Sequence, residues 1–261
     1  MRRNVLVIVM LLAAWLALAP EGRSQDVWHF QNKADAPPGV IAQRQLQRGG
    51  PLPGYFQPVE VTGPAGTLIA LAAEGAFSER ASNKLLAGML IGPVYRLKVG
   101  GIPGHEGAEV FPTIEVIDRL YPPPGQAARF PIPIVLTAED LRFALDGRYV
   151  LRVIYLEDNR TAPPVRDLPG EQRSYEAAPA QDPLEVADRL GRPVAIVRMG
   201  SRVPLADEDP SGFAYHDPPV MPIEMPPLVG RNAGLEAPLF APQRPGMPGR
   251  NFAREPATNW R

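Results

Sequence analysis

The chain has 261 residues, with 28 acidic and 27 basic side chains and a formal net charge of −1. That balance lacks the basic excess of a nucleic-acid-binding surface. It has no cysteine, which excludes disulfides, thiolate metal sites, cysteine nucleophiles and a lipidated N-terminal cysteine, and its 33 prolines, against roughly 13 at average usage, disfavour helical bundles and parallel sheets.

Arg2 and Arg3 precede an unbroken apolar run from Val5 to Ala19, and Ala17-Leu18-Ala19 has the spacing of a processing site. The run is shorter than the roughly 20 residues of a spanning helix. Residues 1–24 are therefore expected to be an export signal, cut after Ala19 or Ser24, with an uncleaved membrane anchor as the alternative. The expected location is the periplasm, the cell envelope or the exterior. Residues 25–52, punctuated by Pro37-Pro38-Gly39 and Gly49-Gly50-Pro51, are expected to be a mostly disordered linker with at most a short helical turn over Val40–Arg48.

Residues 53–205 are expected to be a β-rich globular domain. Thr67 to Ala72 is a weak strand candidate, and Tyr95, Leu97 and Val99 alternate with Arg96 and Lys98, a strand with one wet face. Val110, Ile114 and Val116 share a face opposite Thr113 and Glu115, with Pro112 suggesting an edge position or a bulge. Phe130-Pro131-Ile132-Pro133-Ile134 lacks two amide donors and reads as an edge strand or extended connection. Tyr149, Leu151, Val153 and Tyr155 alternate with Arg148 and Arg152, and Val194 to Met199 is apolar on both faces except at Arg198. Two short helices interrupt the strands. Thr137 and Asp140 form a near capping box ahead of Leu141, Ala144 and Leu145, with Gly147 as the stop. Asp182-Pro183 starts the second, whose Leu184, Ala187 and Leu190 share a face. Residues 206–261 hold 11 prolines and 5 glycines and are expected to be a proline-rich disordered tail.

Short strands between Gly and Pro clusters point to an all-β fold, a β-sandwich of the Ig-like or prealbumin-like kind with the two helices packed on it. An α+β arrangement is the alternative, should the helices cover one face of a single sheet. The stretches Gly92–Val99, Glu109–Gly125, Tyr149–Glu157 and Asp182–Met199 resemble a group of uncharacterised exported proteins from bacteria of the planctomycete type, over roughly residues 54–204. The resemblance implies export and a shared domain, and no activity or functional residue.

Candidate chemistry is sparse. His105 and Glu106 sit in a glycine-rich loop, Gly101 to Gly107, able to present a ligand or a base, though a solvated loop tip is the commoner outcome. His29 and His216 lie in other segments, so no zinc set forms in the sequence, and no metal or other cofactor is expected. Asp207-Glu208-Asp209 lacks the spacing of a calcium loop. Glu157 and Asp158 end the best strand and, with Glu115 and Asp118, would supply a glycosidase-like pair if their strands were neighbours. Tyr121, with Tyr55, lies near proline clusters and suits contact with protein or sugar. The reading favoured by the sequence is a non-enzymatic envelope or surface module binding a protein or polysaccharide partner, through His105, Glu106, Tyr121, Glu157 or Asp158. A carbohydrate-active or other hydrolase is the alternative.

Overall fold

The apolar alternation of the central sequence resolves into two sheets. The structure is a computed structural model describing residues 32–78, 82–158, 160, 162 and 174–223. The expected export signal and the tail beyond residue 223 lie outside the described residues. The described elements, in chain order, are α1 (Val40–Gln47), β1 (Phe56–Thr62), β2 (Leu68–Ala73), β3 (Ala76–Phe77), β4 (Lys84–Leu90), β5 (Val94–Gly100) and β6 (Thr113–Val116). A 3-10 turn (Ala127–Arg129), β7 (Ile132–Val135), α2 (Ala138–Leu145) and β8 (Val150–Glu157) follow, then α3 (Pro183–Leu190), β9 (Gly191–Met199), α4 (Pro210–Phe213) and β10 (Val220–Pro222). One sheet has the order β10-β4-β1-β7 and the other β3-β2-β5-β6-β9-β8. Among the described residues the regular structure is thus mostly strand, in two sheets, with few short helices, a β-rich fold.

The two sheets share one apolar core. Val59, Val61, Ala87, Met89, Ile132 and Ile134 of the first meet Ile69, Leu71, Tyr95, Leu97, Ile114 and Val197 of the second. Each fully buried aliphatic side chain contributes about 1.5–3 kcal/mol. Leu141 and Ala144 of α2 join this core. The expected capping box at its start is complete: Asp140 N–H donates to Thr137 Oγ1, and the Asp140 carboxylate accepts from Thr137 N–H. Asp182 likewise accepts from the Leu184 and Glu185 amides at the start of α3.

The opposite face of the six-stranded sheet is covered as well. Strand register sets Arg96, Thr113, Arg198 and Leu151 in one cross-strand row and Val94, Glu115, Ile196 and Val153 in the next. Glu115 is wholly buried and pairs with Arg198 at 2.8 Å. The second Glu115 oxygen accepts from the Ala42 amide at 2.9 Å. The Arg198 guanidinium also points at the carbonyls of Ala34 and Ala36. Asp182, besides capping α3, accepts from the Ala34 amide. These bonds hold a second apolar cluster of Ala34, Ile41, Ala42, Ile117, Leu184 and Ile196.

Several expectations are corrected here. The described part of the 25–52 linker, from residue 32, is a folded segment whose helix α1 lies on the sheet with Ile41 and Ala42 fully buried. Part of the 206–261 tail is folded too: Phe213 is buried and β10 pairs with β4. Gly88 admits this pairing, because a Cβ there would stand 2.9 Å from that of Met221. The expected wet faces are dry at Arg96, Thr113 and Glu115, which are all buried, while Lys98 of β5 keeps partial exposure. On β8 the expected alternation holds, but both faces are used: Leu151 and Val153 face the second cluster, while Ile154 belongs to the main core. Pro112 marks neither an edge nor a bulge. β6 lies between β5 and β9, and Val99–Val110 keeps the register of Arg96–Thr113, with Pro112 one residue before the strand. The Phe130–Ile134 stretch does supply an edge strand of the described four-stranded sheet, β7, parallel to β1.

Replacing Glu115 by Gln strands the Arg198 charge inside the protein and is expected to cost about 3–5 kcal/mol. The double change Glu115→Leu with Arg198→Met is expected to cost less than either single change. Urea unfolding of the native protein, Glu115→Leu, Arg198→Met and the double variant gives the coupling energy directly.

Candidate functional site

The loop after β6 is anchored from three sides. The carboxamide of Gln57, buried in β1, accepts from the Leu120 amide at 2.7 Å. Asp118 accepts from the Arg119 amide at 2.7 Å and forms an ion pair with Arg192 of β9. Arg192 also donates to the Arg119 carbonyl at 3.1 Å. These bonds deliver Arg119 between two aromatic rings, 4.9 Å from the Tyr55 centroid and 4.4 Å from that of Tyr121. Arg192 lies 5.3 Å from the Tyr121 ring. Tyr121 itself is 65% exposed, and Pro122-Pro123-Pro124 follow it. Asp118 neutralises Arg192. Arg119 has no ion pair among the described residues, and its buried Nε has no hydrogen-bond partner there. Two guanidiniums stacked on a solvent-facing ring, at spacings where cation–π attraction operates, make a cationic aromatic surface.

The other candidates divide between the two ends of the six-stranded sheet. Glu157 and Asp158 close β8 opposite the start of β9, where Glu157 faces Gly191 and Leu156 faces Arg192. They therefore share the Tyr121 end. His105 and Glu106 lie at the other end, in the β5–β6 loop, and both are exposed. The His105 amide donates to the Ile102 carbonyl and its Nδ1 lies 3.4 Å from the Pro103 carbonyl, bonds of the loop itself. The base of this loop borders an open groove of about 420 Å³ floored by Leu68, Ala70 and Phe77 and crossed by the Lys98–Glu109 ion pair. The sequence singled out Tyr121 and Tyr55 but not Arg119 or Arg192. An arginine next to a tyrosine is common, and only the folding of β9 alongside β6 brings in the second guanidinium.

Three of the four carboxylates of the hydrolase reading, Glu115, Asp118 and Asp158, are committed to arginines. β6 and β8 are separated by β9, so Glu115 and Glu157 are not on neighbouring strands. Glu115 is buried on Arg198, and Asp118 holds Arg192. Two bonds from Arg160, a side-chain one and a backbone one, hold the Asp158 carboxyl below its usual pKa. A general acid requires the opposite shift. The acidic run of the tail is also structural: Glu208 pairs with Arg202, and Asp209 caps α4 through the Ser211 and Gly212 amides. Among the described residues, no group of three His, Asp or Glu side chains converges as a metal site.

The folded part of the tail encloses two polar groups of β5. Arg96 donates to the carbonyls of Phe213 and Phe111 and lies 4.5 and 5.0 Å from the rings of Phe213 and Tyr215. Tyr95, fully buried, accepts from the Leu90 amide and donates to the Pro219 carbonyl. Between these anchors Tyr215, His216 and Asp217 all have positive φ, a conformation costing on the order of 1 kcal/mol or more per residue that persists only where surrounding bonds impose it. Asp217 Oδ2, accepting from the Gly75 amide at 2.6 Å, is one of those bonds.

Burial pushes the Tyr95 hydroxyl up to about 12 from its ordinary 10. Its stabilising effect is therefore complete below pH 10 and is lost as pH rises towards 12, because only the unfolded chain ionises in that window. Tyr95→Phe is expected to cost about 1–2 kcal/mol at neutral pH, from the two lost bonds. The gap to the native protein should then close between pH 10 and 12, which denaturant midpoints across that range measure.

No family model matches the chain, and neither a curated protein nor a solved structure matches it.

Proposed function

We propose that the protein is an exported, non-enzymatic envelope or surface module that binds a protein or polysaccharide partner. The observation that carries this reading is Tyr121, 65% exposed and flanked by the guanidiniums of Arg119 and Arg192. Aromatic rings and arginines on a rigid support are the residue types that dominate contact surfaces, because they give large area at small entropic cost. The support is rigid here because Gln57, Asp118 and Arg192 each bond the loop. Export rests on Arg2, Arg3 and the apolar run to Ala19, and the resemblance to exported planctomycete-type proteins belongs with it. Two sheets sharing one core favour a sandwich, of the Ig-like or prealbumin-like kind, as the architecture.

The test is capture from the native envelope fraction by the full-length protein and by its Tyr121→Ala variant. A saturable partner is expected with the native protein, and recovery should fall about tenfold in the variant, as for a central aromatic contact. Turnover of an envelope glycan with no retained partner would overturn the reading in favour of a hydrolase.

A further inference from the structure

Resting on that reading, we infer that the Arg119–Tyr121 surface is a carbohydrate site for carboxylate-bearing sugars, the uronic acid units of an anionic polysaccharide. Of the two guanidiniums at Tyr121, Arg192 is occupied by Asp118, while Arg119 has only ring contacts. Its Nε is buried without a partner. That nitrogen is out of a ligand's reach, so the groups left for an acceptor are the two Nη amines, whose N–H bonds match a carboxylate in parallel. The rings on either side define what carries that carboxylate. Tyr121, 65% exposed, offers apolar ring surface beside the two guanidiniums for the axial C–H bonds of a pyranose, and Tyr55 closes the other side of Arg119.

The same geometry argues against an acidic peptide added as a strand. A peptide bound in that mode is held by main-chain pairing with an exposed strand. Residues 122–124 are all proline, so the flank of this site has no amide to donate. A ligand seated here is read by side chains, which suits a sugar.

The experiment is titration calorimetry of the full-length protein with polygalacturonate, neutral dextran and poly-glutamate. Polygalacturonate should bind, dextran should not, and poly-glutamate should bind at least about tenfold more weakly. Arg119→Gln and Tyr121→Ala should each weaken polygalacturonate about tenfold or more. Arg119→Lys, which keeps the charge and loses the fork, should recover little of it. Unfolding midpoints of all three variants verify that they fold, and Tyr121→Ala, at an exposed position, keeps the test valid if the Arg119 changes disturb packing. Equal binding of poly-glutamate would overturn the sugar assignment, and equal binding of dextran or undiminished binding by Arg119→Gln would overturn the carboxylate one. An envelope partner still captured when polygalacturonate fails to bind would sink this inference alone and leave the module standing. Failure of both would sink the two together.

Discussion

The buried ion pair of Glu115 and Arg198 is the interaction around which the rest of the structure is arranged. Taking two charges out of water costs several kcal/mol per ion, offset by their mutual attraction and by hydrogen bonds to the remaining lone pairs and protons, although Arg198 Nε is left without a partner among the described residues. The six-stranded sheet cannot provide those partners, because its own amides and carbonyls are spent on neighbouring strands. They come from the N-terminal segment: the Ala42 amide for Glu115, and the Ala34 and Ala36 carbonyls for Arg198. The pair thus makes α1 part of the domain. Asp182 repeats the device beside it, bonding Ala34 and the start of α3 with one carboxylate.

Arg96 serves the other half of the same face. It occupies the row of Arg198, two strands away, and has two carbonyls and two rings around it in place of an acid. Those groups come largely from residues 213–215, so a second segment from outside the central sequence is drawn over the sheet. Two buried arginines and one buried glutamate therefore decide how far the domain extends, on the N-terminal side through Ala34–Ala42 and on the C-terminal side through Phe213–Pro219. The tyrosine hydroxyl of Tyr95 completes the second attachment from within the core.

The Tyr121 surface draws its rigidity from this framework. β6 is held between β5 and β9, so the loop leaving it starts from a fixed point, and Arg192 at the entry to β9 reaches both Asp118 and the Arg119 carbonyl. A ring presented on such a base loses little freedom when it meets a partner, which is where contact affinity is usually forfeited. The opposite loop, carrying His105 and Glu106, is held at its base by buried Ile102, the Val99–Val110 pairing and the Lys98–Glu109 ion pair, while the bonds described at its tip are its own turns. The two ends of the sheet thus differ in preorganisation more than in composition.

Local rules placed most of the elements. Alternation located β5, β6 and β8, an apolar run located β9, the Thr137–Asp140 box and Asp182-Pro183 located α2 and α3, and the missing donors of Pro131 and Pro133 put β7 at a sheet margin. Each of these depends on residues within a few positions of one another. Of the site, Tyr121 and Tyr55 were visible as exposed-type aromatics beside prolines, but Arg119 and Arg192, 73 residues apart, meet through strand pairing. Arg96, Thr113 and Glu115 alternate with apolar neighbours as any solvent-facing residues would, and period two reports a face without reporting what lies beyond it. That the face is dry depends on segments from before residue 53 and after residue 205, whose Pro and Gly content reads locally as irregular chain. The sequence alone determined β2, β5, β6, β7, β8 and β9, the starts of α2 and α3 and the chemical types available, while β1, β3, β4 and β10 emerged only in the fold. Tertiary structure decided which polar residues are buried, because a buried charge is stable only where distant backbone groups converge on it.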